Sequence, residues 1–152
     1  MPRGGGGRFN KELLLFYVAG IPTYVLMGEL ATGVLLAGVL PKPDFPEALR
    51  KEARRRWHAD AVASLGYAAA ALRSRSDLAI GLANATRALI EQSHAVLAGD
   101  GQWVLNEKGI VAQAGLSSHA ELLVGASDGA ALLRAVEHIR TQFEALEEPE
   151  GS

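Results

Sequence analysis

The sequence contains no cysteine among its 152 residues. Disulfide bonds, thiolate zinc sites and cysteine nucleophiles are therefore excluded, and a reducing cytoplasm is the expected compartment. Aromatic residues make up only 6% of the chain, and the formal net charge is −2. A chain with this balance has no overall positive field that would attract nucleic acid or anionic lipid.

Charge is scarce between residues 13 and 40, where Glu29 is the only charged residue. A segment of this length could span a bilayer of about 30 Å. However, Pro22 would kink a continuous helix, and an ionised Glu29 near the bilayer centre would cost about 2–3 kcal/mol or more. A signal peptide would use Arg3 and Arg8 as its positive region, but no convincing small-x-small cleavage site follows. We therefore expect no membrane span.

Catalytic motifs are also missing. The sequence has no P-loop, no Gly-x-Ser-x-Gly elbow and no His-Glu-x-x-His. No two aspartates lie two residues apart, so no strand presents an Asp-x-Asp pair for two-metal phosphoryl transfer. The four histidines lie on different predicted elements, and none has a second histidine at helical spacing. The sequence therefore predicts no metal site and no resident cofactor.

Alanine and leucine are abundant in the middle of the chain, and both favour helices. We expect a mainly α fold, an antiparallel helical bundle of about five helices with one N-terminal β-strand. The apolar residues 13–19 predict a strand buried on both faces, and residues 24–37 predict a helix. The glycine-rich residues 1–10 should be a disordered leader, and residues 148–152 a flexible tail. Residues 11–40 then form a strand plus a helix, and residues 41–147 the bundle domain.

The signals that begin and end helices become clear after the proline-rich connector at residues 41–46. Pro46 suits a first turn, which predicts a helix over residues 46–73. Ser76 should cap a second helix that ends at Gly99, so the two helices form an antiparallel hairpin. Three more helices are predicted, one over residues 106–114 capped by Asn106, one from Ser117 or Ser118 to Val124, and one over residues 129–146 capped by Asp128.

Arg87 and His94 are the candidate catalytic residues, because a spacing of seven places both on nearly one helix face. An arginine that polarises a phosphate and a histidine that moves a proton suit RNA cleavage. The pair resembles the Arg-x(4–6)-His signature of HEPN ribonucleases, which are small helical bundles. The alternative is a surface Arg87–Glu91 pair at i,i+4 beside a neutral histidine, and we favour it.

A basic run precedes Trp57 and includes Arg50, Lys51, Arg54, Arg55 and Arg56. Such a run could contact RNA or a nucleotide phosphate. Glu47 and Glu52 lie in the same stretch, so a solvated helix face is the better interpretation, and the question of nucleic acid stays open.

A more distinctive block runs Trp103-Val104-Leu105-Asn106-Glu107-Lys108-Gly109. With it come Gly28-Glu29-Leu30, Leu40-Pro41, Phe45-Pro46-Glu47-Ala48-Leu49, Leu97-Ala98 and Ala114-Gly115-Leu116. This series, over about residues 13–125, resembles the C-terminal helical region of bacterial DNA-polymerase-β-like nucleotidyltransferases, including aminoglycoside-modifying relatives. The resemblance implies that Glu29, Trp103, Glu107 and Lys108 are candidates for substrate binding.

In that family an N-terminal α/β domain carries Gly-Ser followed by an Asp-x-Asp pair that holds magnesium, and neither element is present in this sequence. The resemblance implies that residues 13–19 are the last strand of that domain, and that the chain is truncated, degenerate or half of a split system. Magnesium and a nucleoside triphosphate would bind only if a catalytic domain is supplied elsewhere.

Three functions follow as expectations. The first is a nucleotidyltransferase-like helical domain, without catalysis of its own, that serves substrate binding or oligomerisation. The second is a HEPN-type ribonuclease, or a partner of a nucleotidyltransferase in a toxin–antitoxin-like pair. The third is a plain helical dimerisation module. Because the apolar stretch at residues 13–40 should seek cover, we expect a homo-oligomer or a complex with a separate nucleotidyltransferase domain.

Overall fold

The computed structural model describes residues 10–13, 17–75 and 77–147. Over these residues the chain is mainly helical, which confirms the predicted fold class. The strands are β1 (Lys11–Glu12) and β2 (Ile21–Pro22). The helices are α1 (Val25–Thr32), α2 (Glu47–Arg75), α3 (Leu78–Gly99), α4 (Ile110–Gln113), α5 (Ser117–Val124) and α6 (Gly129–Glu144), followed by a 3-10 turn at Ala145–Glu147. The predicted flexible tail and residues 1–9 of the predicted leader lie outside the described residues.

The hairpin of α2 and α3 is the centre of the molecule. The carbonyl of Pro46 accepts the first helical hydrogen bond of α2, from the amide of Arg50 at 2.9 Å. Asp77 caps α3, because its carboxylate accepts from the amide of Ile80 at 3.1 Å. The predicted cap, Ser76, lies outside the described residues. Small side chains let the two helices approach closely, and four fully buried ones are Ala61, Ala68, Ala85 and Ala88.

The hydrophobic core has two parts. At one end of the hairpin, α6 contributes a buried stripe at helical spacing that packs on α2 and α3. This stripe consists of Leu132, Val136, Ile139 and Phe143. At the other end, Trp57 and Leu97 of the hairpin pack with Ala19, Tyr24 and Phe45 from the N-terminal part of the chain. We name the described residues before α2, 10–13 and 17–46, the N-terminal segment. These contacts anchor the N-terminal segment on the hairpin.

The predicted strand over residues 13–19 is wrong for its described residues. Leu13 and residues 17–19 lie between the strands, which pair antiparallel with Lys11 opposite Pro22. Residues 14–16 lie outside the described residues. The amides of Val18 and Ala19 donate to the side chain of Glu107 instead of to a neighbouring strand, so residues 17–19 form a loop held by a carboxylate.

Two predicted helices are shorter than expected. The helix predicted over residues 24–37 is α1, which ends at Thr32 because Gly33 takes an extended conformation. The helix predicted over residues 106–114 is reduced to α4. Gly109 has a φ of 70°, which a right-handed helix does not allow, and Asn106 closes a turn by accepting from the amide of Lys108 at 3.0 Å. The helices predicted from Ser117 and after Asp128 are confirmed.

The close approach of α2 and α3 gives a first prediction from two glycines. A Cβ at Gly81 would lie 2.6 Å from Cγ of buried Leu72, whereas no described atom would lie within 4 Å of a Cβ at Gly66. We expect Gly66→Ala to raise the free energy of unfolding by about 0.5–1 kcal/mol through helix propensity. We expect Gly81→Ala to lower it by about 1 kcal/mol, because overpacking outweighs the same gain.

Urea denaturation of both variants beside the unchanged protein measures the difference. Equal stabilisation by the two substitutions would show that the helices are not in close contact at Gly81.

Candidate functional site

A cleft of about 680 Å³ lies along α2 and α3, with Lys11 of β1 among its lining residues. Asp60 and Ser64 line it from α2, and Arg87 and Glu91 line it from α3. These positions follow from helical spacing, since residues four apart in a helix project from one face. The cleft is therefore built where the N-terminal strand meets the hairpin.

Glu91 is the centre of the charges in this cleft and is only 1% exposed. Its Oε1 accepts from Nζ of Lys11 at 2.9 Å and from Nε of Arg87 at 3.1 Å. Its Oε2 accepts from the hydroxyl of Ser64 at 2.6 Å. A buried carboxylate requires such compensation, because an unpaired charge in the interior is strongly destabilising. Three donors from three elements provide that compensation here.

Lys11 has two further neighbours besides Glu91. Its Nζ lies 2.9 Å from Oδ2 of Asp60 and 4.4 Å from the ring centroid of Trp57. The side chain of Lys11 is only 15% exposed. A cation at this distance over an indole is attracted by the negative face of the ring. From β1, the Lys11 side chain thus contacts both helices of the hairpin.

His94 lies behind this cleft and is not among the residues that line it. Its ring stacks on Trp57 with centroids 4.3 Å apart and an interplanar angle of 12°. No described residue hydrogen-bonds to either ring nitrogen, and the nearest carboxylate oxygen, on Glu107, is 4.0 Å from Nε2. Burial, with a smaller contribution from the charge of Lys11, lowers the pKa of His94 to about 4. The histidine is therefore neutral at pH 7.

The predicted catalytic pair is not brought together. Arg87 lines the cleft and is held by Glu91, whereas His94 is 2% exposed against Trp57. RNA cleavage would need both side chains at one accessible phosphate. The predicted Arg87–Glu91 pair is present, but it is not a surface pair, because the carboxylate of Glu91 is buried. This geometry gives the ribonuclease interpretation no support.

The residues of the Trp103–Lys108 block hold the N-terminal segment in place. The carboxylate of Glu107 accepts from the amides of Val18 and Ala19. The indole of Trp103 donates to the carbonyl of Pro43 at 3.3 Å and packs on the ring of Phe45. These contacts explain physically why tryptophan and glutamate occur in one block.

The four candidates for substrate binding are therefore spread over the molecule. Trp103 and Glu107 face the N-terminal segment, while Glu29 and Lys108 are exposed on α1 and on the loop before α4. None of the four lines the cleft. The cleft is lined by other residues, among them Lys11, Asp60 and Ser64, which are not among the site residues predicted from the sequence. The i,i+4 spacing of Asp60 and Ser64 was the available signal, whereas Lys11 gave none.

The basic run on α2 lies mostly on its outer face, where acidic neighbours pair with it. Glu47 pairs with Arg50 and Lys51, and Glu52 pairs with Arg55. Arg50 also packs on the turn after α3, since a Cβ at Gly101 would lie 2.5 Å from its guanidinium. Three of the five basic side chains, those of Arg50, Lys51 and Arg55, therefore have partners within the chain.

Within residues 10–13, 17–75 and 77–147, no three metal-binding side chains lie close enough together to hold an ion. No helix in these ranges has the length and apolar content needed to cross a membrane. Comparison with protein-family models, with curated proteins and with solved structures finds no match to this chain.

The buried histidine gives a prediction on pH. Because the pKa of His94 is about 4 in the folded state, against about 6.5 when exposed, the unfolded chain binds more protons between these pH values. The free energy of unfolding should therefore fall as the pH is lowered, by about 2 kcal/mol from this residue between pH 7 and pH 5. His94→Phe, which keeps an aromatic ring on Trp57, should remove that part of the fall.

Chemical denaturation at pH 7 and pH 5 tests this expectation, with His138→Gln on α6 as the matched histidine control. The same fall with pH in the His94→Phe variant as in the unchanged protein would mean that His94 is not held neutral by burial.

Proposed function

We propose that the chain is a nucleotidyltransferase-like helical domain that has no catalysis of its own and works as an oligomerisation module. A single observation carries the proposal, namely the exposed apolar surface of residues 26–40, which we name the apolar segment. Its exposed large side chains are Leu26, Met27, Val34, Leu35, Leu36, Val39 and Leu40.

The size of this surface is the first support. Leu36 is 99% exposed and Val39 is 96% exposed, so neither side chain is covered by the described part of its own chain. At the exposures found, the seven side chains present on the order of 800 Å², about what one partner contributes to a standard protein interface. Contiguous apolar patches above a few hundred Å² are rare on monomers and mark interaction sites.

A second copy of this chain is the partner that fits the surface best. Glu29 is the only charged residue in the apolar segment, so the surface lacks the charge pattern that would select a partner of opposite sign. An apolar surface is complementary to itself, and twofold dimers are the commonest soluble oligomers. Dimerisation would remove these side chains from water, which is the main driving force for association.

The nucleotidyltransferase part of the proposal rests on the resemblance over residues 13–125 and on the missing Asp-x-Asp pair. Without paired carboxylates this sequence cannot hold two magnesium ions at a triphosphate in the way that the resembled family does. Magnesium and the nucleotide would then belong to a separate catalytic domain, and this chain would bring such domains together as a dimer.

The apolar segment gives a direct test by substitution. We expect the protein to sediment as a dimer at micromolar concentration, and the double variant Leu36→Glu, Val39→Glu to weaken dimerisation at least about 100-fold. Burying two unpaired carboxylates in the interface costs several kcal/mol, which is the reason for this magnitude. Analytical ultracentrifugation over a dilution series measures the effect.

Val124→Glu on α5 is the matched control, because Val124 is 84% exposed and lies outside the apolar segment. It should leave dimerisation unchanged. A monomer at every concentration would contradict the oligomerisation module, and binding of a catalytic nucleotidyltransferase domain by that monomer would replace the second copy as the partner.

The lack of catalysis is tested separately. Incubation of the purified chain with magnesium, ATP and an aminoglycoside should give no adenylylated product. Turnover by this chain alone would contradict the non-catalytic part of the proposal.

A further inference from the structure

The position of the Lys11 ammonium carries an inference that is independent of dimerisation. Three groups surround its Nζ, which are Oε1 of Glu91 at 2.9 Å, Oδ2 of Asp60 at 2.9 Å and the ring of Trp57 at 4.4 Å. Glu91 accepts a hydrogen bond from this ammonium, whereas Asp60 contributes an ion pair without hydrogen-bond geometry. Together with the aromatic face, the two carboxylates offer negative charge on several sides of a primary ammonium, which carries three N–H donors and one positive charge. We name these three residues the ammonium site.

Two of the three groups of the ammonium site, Glu91 and Trp57, are held by contacts that do not involve Lys11. Glu91 is held by the side chains of Ser64 and Arg87 as well. The indole of Trp57 is fully buried and donates to the hydroxyl of Tyr24 at 3.1 Å. A site organised in advance binds its ligand with a smaller ordering cost.

The element that supplies Lys11 is weakly held by comparison. β1 is only two residues long and pairs with a strand of two residues. Two-stranded sheets of this size are marginal in water, and short end segments open at low cost in free energy. The lysine can therefore leave the site without unfolding of the hairpin.

The cleft continues from the ammonium site along α2, where Ala63, Ala70 and Ala71 form part of its lining. Between Ala63 and Ala71 the helix rises by about 12 Å, at about 1.5 Å per residue. Small apolar side chains leave room for a slender aliphatic chain beyond the ammonium group. The cleft is therefore longer than the Lys11 side chain alone requires.

We propose that the ammonium site binds the primary ammonium group of a small aliphatic amine, and that Lys11 is its tethered competitor. An amine that enters through the cleft replaces Lys11 between Glu91 and Asp60 and places its carbon chain along the alanine lining. Because a tethered group acts at a high effective concentration, removal of the Lys11 amine should strengthen binding of the external one.

The test uses n-propylammonium, which corresponds to the atoms that Lys11→Ala removes. We expect the Lys11→Ala variant to bind this probe, with a shift of the Trp57 indole N–H resonance and no shift of the Trp103 resonance. The unchanged protein should show the same Trp57 shift with an affinity about 10- to 100-fold weaker. Tetramethylammonium, which has no N–H donors, and 1-propanol, which has no charge, should shift neither resonance.

Two carboxylate variants in the Lys11→Ala background locate the site. Glu91→Gln should abolish binding of n-propylammonium, while Glu121→Gln on α5 should leave it unchanged. The measurement on the unchanged protein does not depend on the folding of any variant.

Three results would overturn the proposal. The first is the absence of a Trp57 shift in the unchanged protein at 100 times the dissociation constant of the Lys11→Ala variant. The second is an equal response to tetramethylammonium, and the third is binding that survives Glu91→Gln.

Discussion

The buried carboxylate of Glu91 is the interaction on which the arrangement of this molecule depends. It receives donors from β1, from α2 and from its own helix, and so it joins the N-terminal segment to the hairpin. Leaving one partner of a buried ion pair without the other is strongly destabilising, typically by about 3–5 kcal/mol. The same carboxylate therefore sets the register of α3 against α2 and fixes the place where β1 can attach.

Around this carboxylate the aromatic side chains form a continuous set of contacts. Trp57 stacks on His94, hydrogen-bonds to Tyr24 and lies below the Lys11 ammonium. Tyr24 in turn packs edge-on against Phe45, which contacts Trp103. The same aromatic side chains thus support both the cleft and the N-terminal segment. The apolar segment begins two residues after Tyr24.

The helices that bury a stripe of side chains could be predicted from the sequence, because helical spacing and caps are local signals. The long α2, the Asp128 cap and the helix from Ser117 are examples. The region before Pro46 could not be predicted in the same way. Its conformation depends on Glu107, about ninety residues away, whose carboxylate takes the amides of Val18 and Ala19 that a strand would have used.

In the candidate site, too, local contacts could be predicted from the sequence and long-range contacts could not. The pairing of Arg87 with Glu91 is local and was among the expected alternatives. The meeting of Lys11 with Asp60 and Glu91 joins residues far apart in sequence, and no spacing rule predicts it. Trp103 and Glu107 are candidates for substrate binding by resemblance, and the contacts that hold them against the N-terminal segment are long-range ones that no local pattern predicts.

The anchoring of residues 18 and 19 by Glu107 has a consequence for synthesis on the ribosome. The two ends of these hydrogen bonds are separated by 88 and 89 residues in the chain. At translation rates of about 5–20 residues per second, the early segment waits about 5–20 s before its anchor exists. During that interval the amides of Val18 and Ala19 lack the carboxylate that holds them in the folded chain. The loop that carries them can take its final position only after α2 and α3 have been synthesised.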